Sequence, residues 1–272
     1  MLTQAFEMKK ILQIGNGIAL VSTIVVNYLS NTGLMNNSTI GEISNDYRSL
    51  FTPAGYTFAI WGIIYLLLFA FAMYQGRSLF VKVKNDDFVL KTGWWFIASC
   101  VFNSLWVFAW IYEYTGLSCV FIFLLLAALL KIVFNNRMEL DDEPLPIIAF
   151  VWWPFVIYSG WVTVASIANV STYLVKIDWD GFGLSDVTWT IILIVITVVI
   201  NLIITWKRNM REFALVGAWA LIGIGNVNKI NNETLMYITF VSAALLIISS
   251  SIHGFKNRET SPLVKFKERN NS

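Results

Sequence analysis

The sequence predicts an all-α, polytopic membrane helix bundle of about eight transmembrane helices. Three observations carry that reading. Of the 272 residues, 57% are hydrophobic and only 13% are charged, with a mean hydropathy of +0.66. Soluble domains carry about 25% charged residues, so this chain has too little polar surface to stay dispersed in water. Apolar runs of about 20 residues, long enough to cross a bilayer as helices, recur along the whole length. The basic residues, finally, alternate between loops in a way that fits eight spans.

The first run, 11–30, follows Lys9 and Lys10, as the apolar core of a secretory signal would. Its length, the presence of Asn16 and Asn27, and the lack of a small-x-small cleavage site after it favour a retained span. The loop behind it, NTGLMNNSTIGEISNDYRSLF (31–51), is polar, Asn-rich and long enough to fold over the mouth of a bundle. The second run, 53–75, opens with FTPAGYTFAIWGIIY and places Phe58, Trp61 and Tyr65 at i, i+3 and i+7 on one helix face.

The third run, 92–112, and the fourth, 116–134, hold the two cysteines. Cys100 lies midway along its span and Cys119 near the outer end of the next, so their depths differ by roughly 15 Å at about 1.5 Å rise per residue. A disulfide tolerates a Cα separation of only about 7 Å, so both read as small core residues. The acidic stretch NNRMELDDEPLP (135–146), whose prolines suit a helix start, leads into the fifth run, 146–170. The sixth, seventh and eighth runs are 188–206, 213–230 and 234–253. The seventh is the weakest, because Asn226, Asn228 and Lys229 crowd its end. A polar tail begins at Lys256.

With eight spans both ends share one side. Of the 19 Lys and Arg residues, 16 then fall on that side, and only Arg48, Lys176 and Lys229 fall opposite. The positive-inside rule makes that side the cytoplasm, and the expected location is a bacterial inner membrane. One span more or fewer would scramble the split. The net charge of +2 reports this topology and points to no nucleic-acid partner.

Much chemistry lacks residues to carry it. No charge occupies the middle of a span, and Lys131 is near enough to the inner surface to snorkel. Proton-coupled pumps and ion exchangers use intramembrane carboxylates or histidines. The only histidine, His253, ends the last span and supports neither a metal cluster nor a hydrolytic triad. DWDGFGLSDVTW (178–189) begins like a calcium loop but carries Phe182 and Trp189 where oxygen ligands belong. GIGNVN (223–228) supplies two glycines of a dinucleotide fingerprint and Asn228 in place of the third. The expectation is a protein that is not an enzyme, with no catalytic residue, metal or cofactor.

Aromatics and amides remain. Among 12 tryptophans, Trp94, Trp95, Trp152 and Trp189 suit an interfacial belt, whereas Trp61, Trp106 and Trp161 lie deeper. VFNSLWVFAW (101–110) repeats the i, i+3, i+7 spacing with Asn103, Trp106 and Trp110. PFVIYSGWVTVASIAN (154–169) places Tyr158 and Trp161 one turn apart, followed by small Ala165 and Ala168. Spacing leaves two readings open. The stripes line a pocket in which rings stack on a planar apolar ligand and Asn103, Tyr65 and Tyr158 bond to it, or they are helix interfaces with buried amides as glue.

FTPAGYTFAIWGIIYLLL, with its Pro, aromatic, Phe, Trp and Tyr order, resembles the second span of the TspO/translocator-protein family of tryptophan-rich sensory proteins. FNSLWVFAW is similar to that family's third-span motif, and the segment from Pro154 resembles its fifth span. The resemblance implies a TspO-like five-helix bundle over 1–170, three additional transmembrane helices over 171–255, and a polar cytoplasmic tail over 256–272. It implies a pocket, capped by the first loop, for a tetrapyrrole or another planar hydrophobic ligand, sterols included. The pocket residues it marks are Tyr56, Trp61, Tyr65, Asn103, Trp106, Tyr158 and Trp161. Tyr158 stands where many members carry tryptophan, and Pro53-Ala54 where many carry two prolines. The implied role is a sensor or chaperone, or alternatively a transporter of such molecules, with membrane lipid and a second copy of the chain as further partners.

Overall fold

The computed structural model describes residues 2–83, 86–230 and 232–257 and builds eight long helices. They are α1 (Leu2–Leu29), α2 (Ile60–Gly76), α3 (Trp95–Ile111), α4 (Thr115–Asn135), α5 (Trp153–Lys176), α6 (Asp186–Arg208), α7 (Arg211–Asn228) and α8 (Glu233–Lys256). Each coincides with one of the eight apolar runs, and no strand occurs among the described residues. Six segments are long and apolar enough to cross a membrane: α1, α4, α6, α8, and α2 and α5 with the turns that extend them. The apolar α3 is shorter, at 17 residues. The 18-residue α7 is not among the six; Arg211 and Glu212 mark one end and Asn226 and Asn228 the other. Most of the polar tail, including Arg258 and the basic residues after it, lies outside the described residues, as does Lys84.

Local chemistry sets the helix ends. Ser185 caps α6 by accepting from the Thr188 amide, and Asn209 closes it in the left-handed conformation at φ 59°. Asn232 caps α8 by accepting from Leu235 N. Ahead of α5, a turn at Leu145–Ile147 runs into a π-helical stretch, Ile148–Trp152. Pro154 follows at once; it has no amide to donate and its ring needs room, which the wider π turn supplies. Of the two aspartates that open 178–189, Asp180 serves a tight turn. Asp180 accepts from Phe182 N, and Trp189 Nε1 donates to Gly181 O at 2.7 Å.

The outside of the bundle is apolar. Ile14, Ile18 and Val21 of α1 and Leu66, Phe69 and Met73 of α2 are all more than half exposed, a surface suited to lipid. Gln13, Asn16, Thr23 and Asn27 of α1 point inward. Asn16 Nδ2 donates to Gln75 Oε1 at 2.9 Å, and Thr23 Oγ1 donates to Cys100 O at 3.2 Å. Without water in the bilayer core, such pairs hold helices together. This is why a span can contain Asn16 and Asn27.

α5 is the central rod, with 78% of its most apolar 18-residue stretch buried. It packs against α2, α4 and α7, while α1 lies against α2 and α3. The last three helices join the rest mainly through α7, which touches α5 and the 3-10 turn Gly55–Ala59. α6 leans on α7 and α8 and makes no extensive contact with α5.

Candidate functional site

Aromatic rings from α2, α3 and α5 converge on Trp61. Its ring stacks with Tyr65 (centroids 5.7 Å apart, 19° between planes) and with Trp106 (6.1 Å, 27°). Tyr158 and Trp161 meet it edge-on at 5.7 and 6.3 Å. Phe58 abuts Trp161 at 5.9 Å, and Trp110 extends the row from Trp106 at 5.9 Å. The i, i+3, i+7 spacing produces this, because each helix turns the same stripe toward α5. Offset and edge-on pairs are the arrangements that ring quadrupoles favour.

Polar bonds fix the rings from below and from the side. Asn103 of α3 is fully buried; its Nδ2 donates to Tyr158 Oη at 2.9 Å, and its Oδ1 accepts from Asn27 Nδ2 at 2.7 Å. One amide thus ties α1, α3 and α5. Trp106 Nε1 donates to Asn169 Oδ1 at 2.7 Å, and Asn169 Nδ2 donates to Ser118 Oγ at 2.8 Å. Several buried polar atoms have no partner among the described residues, Trp153 Nε1 and Thr57 Oγ1 among them; in the wall of the aromatic cluster the one that matters is Trp161 Nε1. Buried polar groups are almost always bonded, so orphans beside an aromatic cluster call for an explanation.

Above the rings lies a cavity of about 40 Å³, walled by Phe58, Trp61, Trp106, Trp110 and Trp161, with the small Ala165 and Ala168 also lining it. A water needs about 10–15 Å³ and a ligand pocket about 300–1,000 Å³. The cavity is closed to anything larger than solvent. Its roof is the first loop, which contributes Ile40 and Ser44, together with Thr52 and Pro53 at the entry to the second run.

The loop is built, not slack. Asn36 and Asn37 take left-handed φ of 53° and 51°, which asparagine tolerates better than most residues. Thr39 and Glu42 then form a capping box that starts the helix Ile40–Asp46. Ile40 and Ile43 bury themselves, and Trp110 Nε1 donates to Ile40 O at 3.1 Å. At the far end the Tyr47 hydroxyl donates to Glu113, which also accepts from Lys176 Nζ at 3.1 Å. The Tyr47 bond, then the Lys176 bond, outweigh desolvation and hold the Glu113 carboxyl below its ordinary range.

The seven residues marked in the sequence therefore separate into three groups. Trp61, Trp106 and Trp161 line the cavity. Tyr65, Asn103 and Tyr158 sit behind the rings and do not line it. Tyr56 lies elsewhere, half-exposed against α7, its ring 5.5 Å edge-on from Trp219 and its hydroxyl accepting from Asn226 Nδ2 at 2.6 Å. Asn169 was missing from the sequence-derived set, although it lies eight residues past Trp161 on the same helical stripe. The roof residues Ile40 and Ser44 carry no periodic signal at all.

A family model described as "TSPO-like protein" matches residues 13–252. The chain belongs to the TSPO-like family. Among curated proteins and among solved structures nothing matches it. The chain is accordingly a multi-pass integral membrane protein of the TspO class. The TSPO-like match runs on past α5 through α6, α7 and most of α8. That extent agrees with how closely α7 joins the aromatic cluster's second-span entry. Gly223 O accepts from Ala54 N at 3.2 Å, and Trp219 Nε1 donates to Thr57 O at 3.1 Å.

Proposed function

We propose that this TSPO-like protein binds a planar hydrophobic ligand of the tetrapyrrole kind between α2, α3 and α5, as a sensor or chaperone without turnover. The observation that carries the reading is Trp161. It forms part of the cavity wall, it is buried, and its Nε1 has no partner. A ligand with a ring face and an acceptor at its edge would stack on Trp61 and Trp106 and satisfy that donor. Entry requires the roof to lift, because the closed cavity is far too small. In this reading Trp61, Trp106 and Trp161 touch the ligand, Tyr65, Asn103 and Tyr158 brace them, and Tyr56 belongs to the rim.

The test is titration of the purified full chain with protoporphyrin, following tryptophan quenching and the porphyrin absorption band together. Saturable quenching with a band shift is expected; a titration with neither ends the proposal. A liposome flux assay on the same protein then separates holding a ligand from moving it.

The charge pattern adds an orientation. Both termini are placed in the cytoplasm of a bacterial inner membrane, residues 1–170 form the ligand-binding bundle and 171–255 a three-helix addition. Cysteines at Asn37 and Asn270, probed with an impermeant reagent in intact cells, report it: labelling only at position 37 is expected, and labelling only at 270 reverses the topology.

A further inference from the structure

A second and much larger cavity, about 690 Å³, lies between α5 and α6, away from the aromatic cluster. It exists because α6 leans on α7 and α8 and leaves the neighbouring face of α5 without a close partner. Its volume falls within the range of about 300–1,000 Å³ that holds small molecules. The interior is apolar, walled by Val170 and Leu174 of α5 and Leu193 and Ile196 of α6, with Phe123 of α4 at one flank. Phe123 and Ile196 are 50% and 42% exposed, so this flank opens sideways onto the lipid.

The mouth is different. Arg48, Asp178 and Asp186 line it, all three exposed and none in an ion pair among the described residues. Trp179 and Trp189 flank them, rings 5.0 Å apart, at the end of the spans where tryptophan marks the headgroup level. Deeper in, Ser171 lines the cleft, is 9% exposed, and makes no hydrogen bond among the described residues. One cation, two anions, a buried free hydroxyl and an apolar slot follow one another from surface to interior.

We propose that this cleft is a binding site for a zwitterionic glycerophospholipid with an amine headgroup. The phosphate faces the Arg48 guanidinium, whose fork matches phosphate oxygens. The ammonium faces Asp178 and Asp186, an ester carbonyl accepts from the Ser171 hydroxyl, and one acyl chain lies along the slot after entering from the open flank. A purely anionic headgroup would meet two carboxylates, and a sterol would leave all three charges unused. The site does not depend on the aromatic cavity or its ligand.

The test is native mass spectrometry of the full chain, delipidated in detergent and offered equal amounts of phosphatidylethanolamine, phosphatidylcholine and phosphatidylglycerol. Phosphatidylethanolamine is expected to be retained in preference to both others. Arg48→Glu, a change at an exposed position that leaves folding intact, is expected to lower its retention about ten-fold, the scale of one lost charge-assisted bond. Leu193→Trp, which fills the slot, is expected to abolish retention of every lipid, and a size-exclusion profile matching the parent's confirms that it folds. Trp61→Phe, which alters the other cavity, is expected to leave phosphatidylethanolamine retention unchanged. Equal retention of the three lipids, a preference for phosphatidylglycerol, or retention unmoved by both Arg48→Glu and a folded Leu193→Trp overturns the proposal.

Discussion

On α7, Gly223 stands so close to Thr57 that a Cβ built on it would lie 2.2 Å from the threonine Oγ1. Thr57 is fully buried and its side chain is short and branched, so it has nowhere to swing. Close helix approach over small residues is a common packing device in membranes. Here it joins the last three helices to the turn that precedes Trp61. Gly223→Ala is expected to destabilise by about 1–3 kcal/mol through overpacking. Adding Thr57→Ala removes the clashing atoms, so the double variant is expected to lose less than the two single losses combined. Thermal unfolding in detergent measures all three; strictly additive losses would show that the contact is not this tight.

That glycine also shows where sequence reading stops. GIGNVN carries two glycines of a dinucleotide fingerprint without the third, and nothing local shows why glycine is needed at 223. The reason is Thr57, 166 residues away in sequence. The eight helices were legible because each is a continuous apolar run, and the convergence of Trp61, Trp106 and Trp161 was legible because helical spacing and one family motif agree. What was not legible depends on tertiary partners. Tyr56 shares a segment with Trp61 yet faces α7, because Trp219 and Asn226 offer it an edge and a hydrogen bond there. The α5–α6 cleft follows from how helices lean, which no periodicity encodes.

Asn103 read from sequence as a polar handle for a ligand. In the structure its amide is committed on both sides, to Asn27 and Tyr158. Asn103→Leu would leave the Tyr158 hydroxyl without its partner and Asn27 Nδ2 with only its bond to Thr23 O, at about 1–3 kcal/mol for a buried polar group left unsatisfied. The expected result is a clear drop in melting temperature, larger than that of Asn103→Gln, which keeps an amide. A leucine variant as stable as the parent would mean that the three-helix tie contributes nothing.

The roof latch should respond to acid. Glu113 accepts from Tyr47 and Lys176, and its carboxyl sits below the ordinary value of about 4.3. A depressed carboxyl contributes fully above the unfolded value and loses its contribution as pH falls through the folded one. Hydrogen exchange across residues 40–47 is therefore expected to stay constant from neutral pH to about 5, then to accelerate below about 4 once corrected for intrinsic rates. Glu113→Gln is expected to show faster exchange at neutral pH and a weaker dependence on pH. Parallel profiles for parent and variant would remove Glu113 from the latch.

Trp161 separates a ligand site from a packing interface most directly. As a packing residue it would be valued for its ring, and Trp161→Phe keeps an aromatic against Phe58 and Trp61 while discarding only a donor that has no partner. Losing an unsatisfied buried donor is close to neutral for folding, and the smaller ring leaves only a small void. As a ligand residue it would be valued for Nε1 as well, and the same substitution removes a hydrogen bond worth about 1 kcal/mol, or roughly a five-fold weaker protoporphyrin affinity. Trp61→Phe is the companion, because it reduces stacking area without touching a donor and is expected to weaken binding by about 1 kcal/mol. Affinity and melting temperature are measured for both. Weaker binding at near-parental stability in both variants supports the aromatic cavity as the binding site. Unchanged binding with lowered stability makes the cluster a helix interface and moves the ligand elsewhere.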